Sequence, residues 1–85
     1  NNQSIIKIIG DNVTIENCEF WICEESNQDN SIIYVGSESE DITISGNKFF
    51  GNGGYCIDIL NKDKTEESGN KIGGKAIFKS LLKKA

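Results

Sequence analysis

Acidic side chains recur at comparable places along this sequence. Asp11, Glu38, Glu40, Asp41 and Asp63 each follow a short run of β-branched and apolar residues, and Glu24, Glu25 and Asp29 gather in one polar stretch. Carboxylates drawn into a stripe can share a hard cation through oxygen ligands, which makes Asp11, Glu40, Asp41 and Asp63 the candidate calcium ligands; no other cofactor is expected. The competing reading is that these acids are solvated turn residues that discourage edge pairing. Aromatic rings offer a second chemistry. Trp21 and Tyr34 alternate with inward residues and so point outward, where flat rings stack on sugars and neighbouring acids such as Glu24, Glu25 and Asp29 hydrogen-bond hydroxyls. The plainer alternative for Trp21 is half-buried packing beneath the polar stretch at 24–30. Catalysis has little to work with, because the chain contains no His and no Arg. Lys7 and Lys48 are the remaining bases, neither lies in an apolar setting that would lower its pKa, and no catalytic residue is assigned.

The elements that must position these side chains are repeats. SIIKIIG at 4–10, SIIYVGS at 31–37 and YCIDILN at 55–61 are three copies of one apolar strand. Alternation puts Ile6 and Ile8, Ile33 and Val35, and Ile57 and Ile59 on one face, with Lys7, Tyr34 and Asp58 opposite. A second strand follows at VTI 13–15 and ITI 42–44, and the segment KTEESGNKIGG at 64–74 continues the series more weakly. There the inward columns hold Thr65 and Glu67, so the second strand is expected to fray or end in the last copy. The columns Ile6/Ile33/Ile57, Ile15/Ile44 and Phe20/Phe49/Ile72 recur at spacings in the twenties. A period of that size predicts an all-β solenoid of about three turns, each burying its apolar face on its neighbours.

Each copy bends sharply at ENC 16–18, SGN 45–47 and SGN 68–70. Asn and Gly accept left-handed backbone angles, and Cys18, Asn47 and Asn70 share a column in which stacked amides can satisfy the turn backbone. The copies differ most in the loop after the third strand, long at 21–30 and short at 50–54, and variable loops are where binding surface is expected. At the tail, Ile77, Phe78, Leu81 and Leu82 cluster against Lys75, Lys79, Lys83 and Lys84. This spacing predicts turns over 1–74 and, over 75–85, a short amphipathic C-terminal helix that caps the open end. At the other end the first strand bears unpaired backbone groups. They require a cap, further turns or another subunit.

Composition bounds the rest. Nine Lys against thirteen Asp and Glu in 85 residues give a net charge of −4, and an acidic chain without Arg is poorly suited to nucleic acid. No apolar stretch is long enough for a membrane span, and no basic leader is present. A start at NNQS reads as a processed product or a piece of something longer. Cys18, Cys23 and Cys56 show no zinc spacing and read as small buried or half-buried apolar residues.

The cadence DNVTIENCEF followed by EDITISGNKFFGNGG resembles the repeats of right-handed parallel β-helix proteins, the pectate-lyase-like family of polysaccharide-acting enzymes and phage tailspikes. The resemblance covers about residues 4–74. It implies a parallel β-helix, an extracellular or cell-surface setting, and a carbohydrate-facing module that binds or helps process an acidic polysaccharide. Lyases of this family use an Arg or Lys base with calcium, and its hydrolases use clustered Asp with a nearby His; the missing His and Arg leave neither full set here. The alternative function is a structural module acting in protein assembly.

Overall fold

A computed structural model describes residues 4–21 and 31–83. The described residues are all-β, with ten strands and one 3₁₀ turn at Lys62–Lys64. Successive strands go to successive sheets. One sheet carries β1 (Ile6–Ile8), β4 (Ser31–Val35), β7 (Asn52–Ile59) and β10 (Ile77–Leu82) in that order. A second carries β2 (Val13–Glu16), β5 (Ile42–Ser45) and β8 (Thr65–Ser68); a third carries β3 (Glu19–Trp21), β6 (Lys48–Phe50) and β9 (Lys71–Ile72). Every pairing is parallel.

The registers reproduce the sequence columns. Ile6 pairs with Ile33 and Ile33 with Ile57; Ile15 pairs with Ile44; Phe20 pairs with Phe49 and Phe49 with Ile72. A slip of one residue would turn Ile33, Ile57 and Ile44, all fully buried, toward the opposite face, so burial fixes this register. Asn17, Gly46 and Gly69 fall in one bend column at φ 54°, 65° and 66°, the left-handed region that lets each copy turn into its third strand. The Asn column behind them is hydrogen-bonded throughout. Asn47 Oδ1 accepts from the Cys18 N–H at 2.9 Å, Asn70 Oδ1 accepts from the Asn47 N–H at 3.0 Å, and Asn47 Nδ2 donates to Asn70 Oδ1 at 2.9 Å. The amides also reach backward, Asn47 Nδ2 to the Ile15 carbonyl at 3.0 Å and Asn70 Nδ2 to the Ile44 carbonyl at 2.8 Å.

Two expectations are corrected. The tail is not a helix: Ile77–Leu82 is a strand, pairing in parallel with β7 and continued at its ends by bonds from Ile77 N–H to Gly51 O and Lys83 N–H to Ile57 O, both 2.8 Å. The free edge of β7 supplies a ready ladder, whereas an isolated helix of this length is marginal in water. Residues 77–82 are thus the fourth strand of the first sheet, with Phe78, Leu81 and Leu82 packed on the core. The second strand of the third copy does not fray either. Thr65–Ser68 pairs fully with β5, and Glu67, half-buried under Ile44, accepts from Asn70 Nδ2 at 2.9 Å, which gives its carboxylate a partner. Among the described residues, no helix is long and apolar enough to cross a membrane.

Candidate functional site

The acids proposed for calcium are all exposed. Asp11 Oδ1 accepts from the Glu40 N–H at 3.0 Å, while the Asn12 N–H donates to the Glu40 carbonyl at 3.0 Å, so Asp11 ties one turn to the next. Asp41 sits in the left-handed region at φ 58° just before β5, and Asp63 lies in the 3₁₀ turn; both border a shallow recess with Thr43, Lys64 and Glu66. Among the described residues, no three Asp, Glu or Cys side chains converge as a metal site. Glu24, Glu25 and Asp29 lie outside the described residues, as does Cys23.

The two aromatics do not form one site. Trp21 ends β3 in the third sheet, while Tyr34 lies in β4 of the first. Trp21 is 65% exposed, and its indole stacks on Phe50 of the neighbouring strand with centroids 4.1 Å apart and planes 9° from parallel. Its Nε1 donates to Glu19 Oε1 at 3.2 Å. Because the stack runs from strand to strand, Phe50 covers one face of the indole. Phe50 in turn lies over Gly73, where a Cβ would come 2.4 Å from its Cε1; only a residue without a side chain leaves room for that ring.

Tyr34 has a different setting. Alternation places it opposite the buried Ile33 and Val35, on the outer face of the first sheet, in register with Lys7 on one side and Asp58 on the other. Lys7 Nζ stands 5.6 Å from the Tyr34 ring centroid, a cation–π contact. Two grooves flank this row at the turns that follow β4 and β7. The smaller, of about 250 Å³, is lined by Lys7, Ile9, Tyr34 and Glu38 among others. The larger, of about 460 Å³, is lined by Asp58, Leu60, Asn61, Lys62, Asp63 and Lys83, together with Ile59.

Asp58 is the unusual member of the row. It is only 8% exposed, and Lys83, which follows Leu82, the register partner of Ile57, lines the same groove. Among the described residues no fully enclosed side-chain N or O lacks a partner, and Asp58 lines the larger groove. A carboxylate in such a place is an acceptor for hydroxyl or ammonium donors. The sequence carried one signal of it, since Asp is depleted in strands and here occupies the middle of YCIDILN.

The cysteines divide. Cys18 is exposed, against expectation, because its column position lies in the outermost described strand layer; Cys56 is fully buried. Burial pushes the Cys56 thiol up to about 12 from an ordinary 9.0. The folded protein therefore holds this group as a neutral thiol, and the stability that its burial confers is present below pH 9 and declines as the pH rises from there toward 12. In the native protein at pH 8, iodoacetamide is expected to label Cys18 and to spare Cys56 until denaturant is added. Rapid native labelling of Cys56, read by peptide mass spectrometry, would contradict its burial.

Compared with known proteins, the chain matches no family model, no curated protein and no solved structure.

Proposed function

We propose that the chain is a right-handed parallel β-helix module that binds a polysaccharide along the outer face of its four-stranded sheet. The fold half of this reading is supported by strands passing in turn through three parallel sheets, since crossovers between parallel strands are right-handed in nearly all proteins. The binding half rests on one observation, the row of Lys7, Tyr34 and Asp58 along the outer face, with the 8% exposed Asp58 lining a groove. The larger groove falls within the range of about 300–1,000 Å³ usual for small-ligand sites. Leu60, half exposed at its rim, offers apolar surface to the C–H face of a sugar. Calcium at the exposed turn acids remains part of the proposal only as an aid to an acidic polymer.

The test is a glycan-array assay of the unsubstituted protein, Tyr34→Ala and Trp21→Ala, with calcium and with chelator. Binding that Tyr34→Ala abolishes and Trp21→Ala leaves intact is the expected result. Binding lost only in Trp21→Ala would move the site to the third sheet, and no glycan bound under either condition would end the carbohydrate reading.

A second reading, assembly, is favoured by the first strand layer. Among the described residues β1, β2 and β3 each pair on one side only, and Ile5, Ile9 and Trp21 beside them are 63%, 78% and 65% exposed. On this reading sedimentation velocity shows mass rising with concentration, and Trp21→Ala weakens the association. A single monomer boundary at all concentrations would dismiss self-assembly.

A further inference from the structure

We infer that β8, the bend at 68–70 and β9 form an interaction surface for an extended segment of another chain, one that carries Asn at a tight bend and adds to the stack by parallel pairing. This surface lies at the opposite end of the stack from β1, β2 and β3, and away from the outer face of the first sheet. The Asn column has a direction. Each later copy serves the one before it: Asn47 Oδ1 accepts from the Cys18 N–H while Asn47 Nδ2 donates to the Ile15 carbonyl, and Asn70 does the same for the Asn47 N–H and the Ile44 carbonyl. The bend backbone follows the same rule, with the Asn17 N–H on Ser45 O and the Gly46 N–H on Ser68 O. In the third copy the equivalent groups are the Gly69 N–H, the Asn70 N–H and the Glu67 carbonyl, and among the described residues no strand lies beyond β8 and β9 to serve them. Backbone groups in this state are a template for an added strand. An Asn one layer further on satisfies both the Asn70 N–H and the Glu67 carbonyl.

Shape agrees with the bonding. The first sheet has a fourth strand, β10, whereas the second and third stop at β8 and β9, which leaves a step one strand deep. Against this step lies a hollow of about 290 Å³ lined by Ile59, Lys62, Thr65, Glu67, Leu82 and Lys83. The residues that lie in register over β2 are Ile42 and Ile44, both buried, so the arriving strand needs apolar β-branched residues two apart. Past the bend, Glu19, Lys48 and Lys71 share a column; with two lysines already adjacent, the next place suits an acid. A second molecule of this protein does not meet these demands. Its first layer holds Cys18 where the amide is required, and its β1 would fall where β10 already lies. The fitting segment therefore reads apolar, any, apolar, any, Gly, Asn, acid, which is the cadence of ITISGNK at 42–48 with its last charge reversed.

The probe is a synthetic peptide of residues 40–51 carrying Lys48→Glu, titrated into the whole protein beside the same peptide with Asn47→Ala in addition. The first is expected to bind, and the second to bind about tenfold more weakly or worse, because it leaves a donor and an acceptor unmet. Amide hydrogen exchange locates the contact. In the free protein the Asn70 N–H is expected to exchange at least about tenfold faster than the Asn47 N–H, and the bound peptide is expected to slow Gly69 and Asn70 while leaving Ile6–Ile8 unchanged. Equal affinity of the two peptides overturns the inference, as does binding by neither. Protection that appears at β1 in place of β8 and β9 overturns it too, and so does an Asn70 amide already as protected as that of Asn47 in the free protein.

Discussion

Replacing Asn47 with alanine is expected to lower the unfolding free energy by about 3 kcal/mol and the melting temperature by roughly 15 °C. The side chain is fully buried and serves three partners at once: the Cys18 N–H, the Ile15 carbonyl and Asn70 Oδ1. Truncation leaves all three short of a bond, and each buried orphan costs about 1–3 kcal/mol. Water can reach the Cys18 end, which is exposed, so the estimate stays below the sum. Asn47→Asp is a sharper probe. It keeps the acceptor for Cys18 but sets a second acceptor against the Ile15 carbonyl and Asn70 Oδ1, and it is expected to be no better than alanine despite its near-identical shape. Chemical denaturation of both variants checks this. A loss below about 1 kcal/mol in Asn47→Ala would show that water replaces the amide and that the column is not a principal source of stability.

Phe49→Ala is expected to cost more, about 4 kcal/mol, and to leave little folded protein at 37 °C. Phe49 is fully buried, and its ring is stacked on Phe20 at 5.1 Å with planes 10° apart. It is also the middle member of its column, with Phe20 on one side and Ile72 on the other, so the cavity cannot collapse from either direction without breaking strand register. Phe20→Ala removes the same ring from the edge layer, where one face is already open, and is expected to cost about half as much. Equal losses at the two positions, measured by urea unfolding, would mean that the edge layer is as constrained as the interior.

The strands and their columns were legible in the sequence because two independent signals agreed. Period-two alternation placed Ile33, Ile44 and Ile57 inward, and recurrence placed them beside one another, which is how the parallel registers run. The tail misled because Ile77, Phe78, Leu81 and Leu82 satisfy helical spacing, and also a strand that buries both faces in part; the free edge of β7 decided between them. Glu67 misled for the opposite reason. An acid in an inward column argues against a strand until its partner Asn70 is known, and that partner lies across a bend in the chain. The site was half legible. Tyr34 was named from alternation, but Asp58 occupies the equivalent place in the next copy, and nothing in a linear reading reveals that it is largely buried and lines a groove. Alternation turns Trp21 outward and it is 65% exposed, yet the stacking of its flat face depends on Phe50 and the absence of a side chain at Gly73, contacts that no local pattern encodes.

The parallel register has a consequence for how such a chain can change over generations. Each copy bonds to the copies before and after it, column to column: Ser45 O to the Asn17 N–H, Ser68 O to the Gly46 N–H, Asn47 O to the Lys71 N–H. Duplicating or deleting one whole copy therefore preserves every remaining partnership, much as a ladder survives the loss of a rung when its rails are rejoined. Reach becomes a heritable quantity adjustable in steps of about 4.8 Å, the spacing between neighbouring strands, without any new interface having to be invented.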